Sequence, residues 1–401
     1  MSEDRAGTFV LQPGGYKAFV PKPLPPDPPL RMDEGLWRRL SDADRALGRL
    51  DGATETLPNP DLFVAMYVRH EAVLSAQIEG TQATLTDLLE YEAASAQELA
   101  RADVAEIVNH VDAMNYGLKR LETLPLSLRL IREIHEHLLK GVRGSQWPPG
   151  QFRTIQNLIG PPGARIEEAT FVPPPPQELT QALRDLESFL HGGEDLPVLI
   201  FCGLMHAQFE SIHPFMDGNG RIGRLLITFL LCQRKILRRP LLYLSYYFRQ
   251  YRSDYYAALT RIREEGAWED WLRFFLEGVY EVAQGATETS RRILALRDEH
   301  ARLVREKVKG AMNGLKLLEL LFQTPVVSVG MVRELLGVSH PTANSLVGQL
   351  SKMGLLHEIT GGARNRLFSY TPYVSLFDQS LSGEAGVSTD QLANGNEPTM
   401  P

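Results

Sequence analysis

Apolar residues recur at intervals of three and four along most of the chain, the spacing that lines one face of an α-helix. Leu36, Trp37, Leu40, Leu47 and Leu50 predict a helix over about 36–50. Asn59-Pro60-Asp61 then supplies a cap with proline just inside the next helix, which runs to Gly80. The same spacing predicts helices over roughly 84–98, 102–122, 124–141, 176–192, 196–211, 221–234, 249–265 and 267–309.

One stretch breaks the rhythm. Residues 150–160 and 169–173 are β-prone runs around Pro161-Pro162-Gly163, which predicts a hairpin over 150–173 lying on the helical body. Past Gly314 the period shortens to three brief helices, Leu315–Phe322, Val329–Leu336 and Pro341–Met353. A β-wing follows, from Leu355–Glu358 and Leu367–Tyr370 around Gly361-Gly362. Residues 1–30 carry seven prolines and read as an extended arm, because proline removes amide donors. Residues 379–401 lack aromatics and isoleucine and read as disordered.

The expected fold class is therefore mainly α. It comprises a proline-rich arm (1–35), an N-terminal helical region (36–100), a helical core bearing the hairpin (101–310), a winged-helix α+β domain (311–378) and a tail (379–401).

Composition narrows the function classes. With 42 Lys+Arg against 49 Asp+Glu the net charge is −7, so no whole-chain electrostatic grip on nucleic acid or anionic lipid is expected. Cys202 and Cys232 sit singly in apolar stretches, which excludes a disulfide framework and a cysteine-based zinc site. The start MSEDRAGTFV lacks the basic-then-apolar build of a signal peptide, and no run of about 18 apolar residues occurs. The expectation is a cytoplasmic protein without a membrane partner.

The chemistry concentrates between His213 and Arg224, which read HPFMDGNGRIGR at a helix start. Gly218 and Gly220 let backbone amides approach an anion closely, and the N-terminus of the following helix adds partial positive charge. Arg221 and Arg224, three apart, can present planar forks to successive phosphates. Asp217 is the nearby hard oxygen ligand for Mg2+, an ion usually held by one carboxylate plus phosphate oxygens. His213 is the candidate base. The same letters satisfy G-x-G-x-x-G, but no strand precedes them and no acidic residue follows at the distance a dinucleotide fold needs. A Walker-type GxxxxGK[ST] loop is absent from the sequence.

This loop closely resembles the HPFx[D/E]GNGRxxR signature of the Fic (filamentation induced by cAMP) family, with every defining position matched. The resemblance implies an all-α core that transfers AMP from ATP to a Tyr, Ser or Thr hydroxyl of a protein target, itself included. It implies His213 as the base and Asp217 as the magnesium ligand. Asn219 with the Gly218 and Gly220 amides would form an anion hole for the α- and β-phosphates, Arg221 would assist there, and Arg224 would hold the γ-phosphate. A second element, Ser75-Ala-Gln-Ile-Glu79-Gly80, resembles the family's inhibitory [S/T]xxxE[G/N] motif. Ser75 and Glu79 share one helix face and Gly80 suits a C-cap. In such proteins this Glu pairs with the second motif arginine, here Arg224. The 150–173 hairpin resembles the family's target-aligning flap, with Gln156, Asn157 and Ile159 as contributors.

Other candidates receive blander readings. Tyr246, Tyr247, Tyr255 and Tyr256 could stack on a base, but core packing is favoured. His135 and His137 flank Glu136, yet i and i+2 diverge on a helix, so surface or capping roles are favoured over a metal. His206 reads as a packed core histidine. In the winged helix, Ser339–Ser345 could open a recognition helix, which makes a non-enzymatic DNA-binding regulator the alternative function. Residues 311–378 hold five basic against four acidic side chains, thin for neutralising phosphates, so a protein-binding or homodimer-forming role competes evenly with DNA.

Overall fold

The computed structural model describes residues 5–55, 60–94, 102–142, 144, 146–161, 163–192, 195–362 and 365–379. The expected disordered tail beyond 379 and the end of the expected 84–98 helix lie outside these residues. The chain runs β1 (Gly7–Leu11), β2 (Lys17–Pro21), α1 (Glu34–Glu55), α2 (Pro60–Ile78), α3 (Leu85–Ala93), α4 (Ala102–Arg120), α5 (Leu128–Leu138), α6 (Pro176–His191), α7 (Val198–Ile212) and α8 (Asn219–Gln233). It continues through α9 (Ser245–Gln250), α10 (Arg252–Glu265), the 40-residue α11 (Trp268–Lys307), α12 (Ala311–Gln323), β3 (Val326–Ser328), α13 (Val329–Leu336), α14 (His340–Lys352), β4 (His357–Glu358), β5 (Leu367–Ser369) and α15 (Thr371–Gln379). The fold is mainly helical with two small antiparallel sheets.

The centre of the molecule is α7. Every residue from Leu199 to Ile212 is buried, the pattern of a helix enclosed on all sides rather than amphipathic. It packs against α8, which is buried from Arg221 to Leu231, and the six residues 213–218 join the two. Helices α4 and α11 close in through small residues. Trp271 on α11 donates its indole N–H to the Gly203 carbonyl at 2.8 Å. On α4 the face of Gly117 lies against Phe229 so closely that any added Cβ would overlap the ring. Gly117→Ala is therefore expected to destabilise the fold by about 1–3 kcal/mol despite alanine's better helix propensity. Denaturant unfolding followed by circular dichroism measures this, and a stabilised variant would refute the close approach.

Two expectations are corrected here. The N-terminal arm is not merely extended: β1 and β2 pair antiparallel, with Phe9 opposite Phe19, around Pro13-Gly14-Gly15. Ala18 and Phe19 are fully buried, and Phe19 N–H donates to Val172 O at 2.9 Å. Arg5 then straps the arm down by a forked pair to Glu269 at 2.8 and 2.9 Å and by bonds to the Pro28 and Pro29 carbonyls. The burial is concentrated in β2, at Ala18 and Phe19, while Phe9 of β1 stays exposed.

The 150–173 segment, conversely, is not a two-stranded hairpin. One antiparallel bridge joins Ile159 and Phe171, with reciprocal bonds of 2.8 and 3.0 Å, and a short 3-10 turn (Ile166–Glu168) lies between. The prolines from 173 to 176 remove the donors that a longer ladder would need.

The C-terminal unit has the expected three helices and wing, with a third strand and a closing helix that the pattern did not announce. Strand order is β3-β5-β4, and α15 follows. His300 on α11 bonds the Tyr370 hydroxyl at 2.7 Å, and Phe377 on α15 packs edge-on against Tyr67 and His70 of α2. Among the described residues no helix is long and apolar enough to cross a membrane.

Candidate active site

The loop between α7 and α8 is built by its own residues. Helix α7 ends at His213, whose backbone is left-handed at φ 49°, and α8 begins behind Gly218 at φ 78°. A left-handed residue is cheap for glycine and costly for histidine. Phe215, fully buried, plugs the loop into the core by stacking on His135 at 3.7 Å and 7°. Asn219 closes the turn with both ends of its amide: Oδ1 accepts from Phe215 N–H and Nδ2 donates to Phe215 O, each at 2.8 Å. Asn219 thus shapes the loop and does not point its amide outward.

His135 departs from the surface role favoured by its sequence context. It is 3% exposed, its Nδ1 accepts from Gly150 N–H at 2.9 Å, and its Nε2 faces the Asp217 carbonyl at 3.1 Å. This pairing makes Nε2 the protonated nitrogen. His137, by contrast, bonds Asp112 at 2.6 Å on the outside. His206 is the expected core histidine, held between Gly223 O at 3.0 Å and the Tyr255 hydroxyl at 2.8 Å.

The charged groups converge on the first two turns of α8. Arg221, 3% exposed along its side chain, reaches Glu106 Oε2 at 3.3 Å and Asp217 Oδ1 at 3.4 Å. Asp217 Oδ1 also accepts from Gly218 N–H at 2.6 Å, and its side chain is about a third exposed. Arg224 is gripped by α2: its Nε donates to Ser75 Oγ at 2.8 Å, and its Nη2 donates to Ser75 O at 3.1 Å and Glu79 Oε1 at 2.8 Å. The Glu79 carboxylate presses on Gly220, where a Cβ would collide with it. An anionic group therefore already sits where a helix N-terminus and a guanidinium meet.

The electrostatics follow from burial and these partners. Burial pushes the His213 imidazole down, and Arg263 and Arg153 add to the effect over the opposing pull of Glu79, so that it titrates at about 3. Its ring is neutral at neutral pH. Burial disfavours the charged form of Glu79, but the attraction and hydrogen bond of Arg224, with Arg221 and His213 adding, hold it below the usual carboxylate range. Glu210, buried beneath Gly223, is pushed up to about 7 by burial, against the pull of Arg224.

The 150–173 segment meets this loop from the other side. Asn157 turns inward, its Nδ2 donating to His213 O at 3.1 Å and Phe215 O at 2.8 Å. Gln156 donates to Asn157 O and Pro173 O at 3.0 Å each, and Ile159 makes the bridge to Phe171. Arg153 likewise donates to His213 O. Arg153 and Glu106 carry no signal in the sequence, and His135 reads there as a surface residue, since their partners are 60, 115 and 82 residues away. Of the four tyrosines, Tyr247 and Tyr255 are core residues, Tyr246 is half-buried, and Tyr256 is 39% exposed.

Comparison with known proteins agrees with this geometry. Residues 37–119 match the Fic/DOC family N-terminal profile, residues 125–231 the Fic/DOC family profile, and residues 315–368 an HTH DNA binding domain. A probable protein adenylyltransferase of Aquifex aeolicus (strain VF5) is 29% identical over 205 residues, 51% of this chain and 58% of that protein. The protein adenylyltransferase Fic of Drosophila grimshawi is 30% identical over 175 residues, 43% of this chain and 32% of that protein. The chain thus spans well under two thirds of the length of these curated relatives. A crystal structure of a Fic family protein from Desulfovibrio desulfuricans G20 superposes with a TM-score of 0.55 at 19% identity, covering 85% of this chain and 97% of that one, so the fold is shared. On these matches, and with the motif loop intact, the chain is a member of the Fic/DOC family that carries a helix-turn-helix domain after its Fic region.

Proposed function

We propose that this protein transfers AMP from ATP to a Tyr, Ser or Thr hydroxyl of a protein target and releases pyrophosphate, with Glu79 holding the activity low. One observation carries the reading: the Glu79 carboxylate lies on Gly220 and bonds Arg224 at 2.8 Å, so an anion is stabilised at the mouth of α8 beside His213. A cradle that suits a carboxylate there suits a phosphate.

In this mechanism the target hydroxyl attacks the α-phosphorus in line with the departing pyrophosphate, and His213 takes the hydroxyl proton as the new P–O bond forms. The neutral imidazole is in the right form to accept it. In this reading the Gly220 amide and Arg221 face the α- and β-phosphates, the Gly218 amide joins them only if Asp217 Oδ1 releases it, and Arg224, once free of Glu79, faces the γ-phosphate. Asn219 contributes through the loop shape it maintains at Phe215. Asp217 is the residue that would hold Mg2+. Among the described residues no group of three or more His, Cys, Asp or Glu could cage an ion, and a lone carboxylate suits a metal shared with phosphates. When bound, that ion would neutralise charge on the phosphate oxygens.

Incubating the Glu79→Gly variant with α-labelled ATP, CTP, GTP or UTP tests the proposal. ATP is expected to label the target or the protein itself, and chelation of divalent metal is expected to abolish labelling. A chain labelled by none of the four, yet shifting DNA in a salt-dependent manner, would favour the helix-turn-helix domain as the functional centre.

A further inference from the structure

Two side chains with no part in the transfer chemistry converge on the backbone of the base. His213 is held at φ 49°, a region that strains any residue other than glycine and persists only where the surroundings enforce it. Its carbonyl accepts from Arg153 Nε at 3.0 Å and from Asn157 Nδ2 at 3.1 Å. The backbone N–H of Arg153 donates to Pro214 O at 2.9 Å, and its Nη2 donates to Ile212 O at 3.4 Å. The residues on both sides of His213 are thereby keyed to the same segment.

Arg153 also ties the two limbs of that segment together, donating to Ile155 O at 3.4 Å and Pro174 O at 2.6 Å. It is 5% exposed, and among the described residues each hydrogen-bond acceptor of its guanidinium is a main-chain carbonyl. Carbonyls satisfy its donors without cancelling its charge. The fold thus retains a full positive charge next to His213.

Resting on the reading of His213 as base, we propose that Arg153 and Asn157 are positioning residues for it. Together they hold its strained backbone in register, and Arg153 adds a positive charge beside the imidazole. The segment that covers the site therefore also sets the base. The charged and titratable groups facing His213 are Arg153 from this segment, Arg263 from α10 and Glu79 just past the end of α2, with the Glu210 main chain from α7. Arg263 is itself committed to Ser211 Oγ at 3.2 Å and Glu210 O at 3.3 Å. Removing Arg153 takes away one of the two guanidinium charges that disfavour the imidazolium, so the ring should titrate at higher pH. Removing Asn157 takes away its two hydrogen bonds to the loop, at His213 O and Phe215 O, and no charge.

The test uses Arg153→Ala, Arg153→Lys and Asn157→Ala in the full-length Glu79→Gly protein. Each is expected to lower kcat roughly ten- to a hundredfold, the scale of a charge-assisted or doubly shared hydrogen bond, with the KM for ATP little changed. With 13C-labelled histidine, only Arg153→Ala should raise the pH at which the His213 ring signal titrates, since lysine keeps the charge while losing the fork. Unchanged kcat in all three variants, or an unchanged His213 titration in Arg153→Ala, overturns the proposal. A Glu79→Gly parent without transfer activity would instead strike down the reading of His213 as base.

Discussion

His213→Ala is expected to lower AMP transfer by roughly 10²–10⁴-fold, the range over which a positioned general base acts. The imidazole is in the neutral form that can accept a proton. Burial with Arg263 and Arg153 brings its titration to about 3, against the pull of Glu79, so it is neutral at the pH where transfer would be measured. Substitution should leave the fold intact. The His213 N–H bond to Phe209 O at 2.9 Å is main-chain, and the two donors to its carbonyl do not depend on the side chain. Histidine and alanine also bear similar strain at φ 49°, so backbone cost changes little. The measurement is the initial rate of labelled AMP incorporation in a Glu79→Gly background, with thermal unfolding of both proteins alongside. A folded variant that transfers at the parental rate would remove His213 from the chemistry and with it the mechanism.

The parts of the site that could be read from sequence are those whose chemistry is written in adjacent letters. Residues 213–224 hold the imidazole, the glycines, the carboxylate and both guanidinium groups in one stretch, and the α7 and α8 patterns on either side locate them at a helix start. The pairing of Ser75 and Glu79 with Arg224 was readable only because two separated motifs resemble one family. Their contact spans 145 to 149 residues, and no local spacing encodes it. The roles of His135 and Arg153 are illegible for the same reason, and Asn157, legible as a flap residue, carries no local sign of its bond to the His213 carbonyl. Each looks ordinary in its own segment and acquires its role through a carbonyl of a distant loop. The hairpin at 7–21 and the shortened one at 150–173 depart from the sequence pattern in opposite directions for one physical reason. Proline acts through the particular amides it removes and not through its abundance in a segment: the β1–β2 pairing reaches Pro21 only at its end, but residues 173–176 lose donors where the second strand would have continued.

Glu79→Gly is expected to raise the transfer rate by roughly 10- to 100-fold, the shift in occupancy that loss of a well-formed carboxylate–guanidinium pair produces. The substitution is clean in structural terms. Helix α2 ends at Ile78 and Gly80 already adopts φ 97°, so glycine at 79 falls beyond the regular helix and disturbs no interior turn. Arg224 keeps its bonds to Ser75 Oγ and Ser75 O, which hold the fork in place while freeing the face that met the carboxylate. Gly220 is uncovered by the same change. Acid should not reproduce the effect near neutrality. Because the Glu79 titration is lowered in the folded protein, its pairing is fully present above the ordinary carboxylate range and is lost only as pH falls through the depressed value. Glu79→Gln, which keeps the shape but not the charge, should therefore activate less than glycine. Comparing labelled AMP incorporation by the three proteins at neutral pH decides the matter: an unchanged or reduced rate in Glu79→Gly would mean that the carboxylate does not hold the site closed.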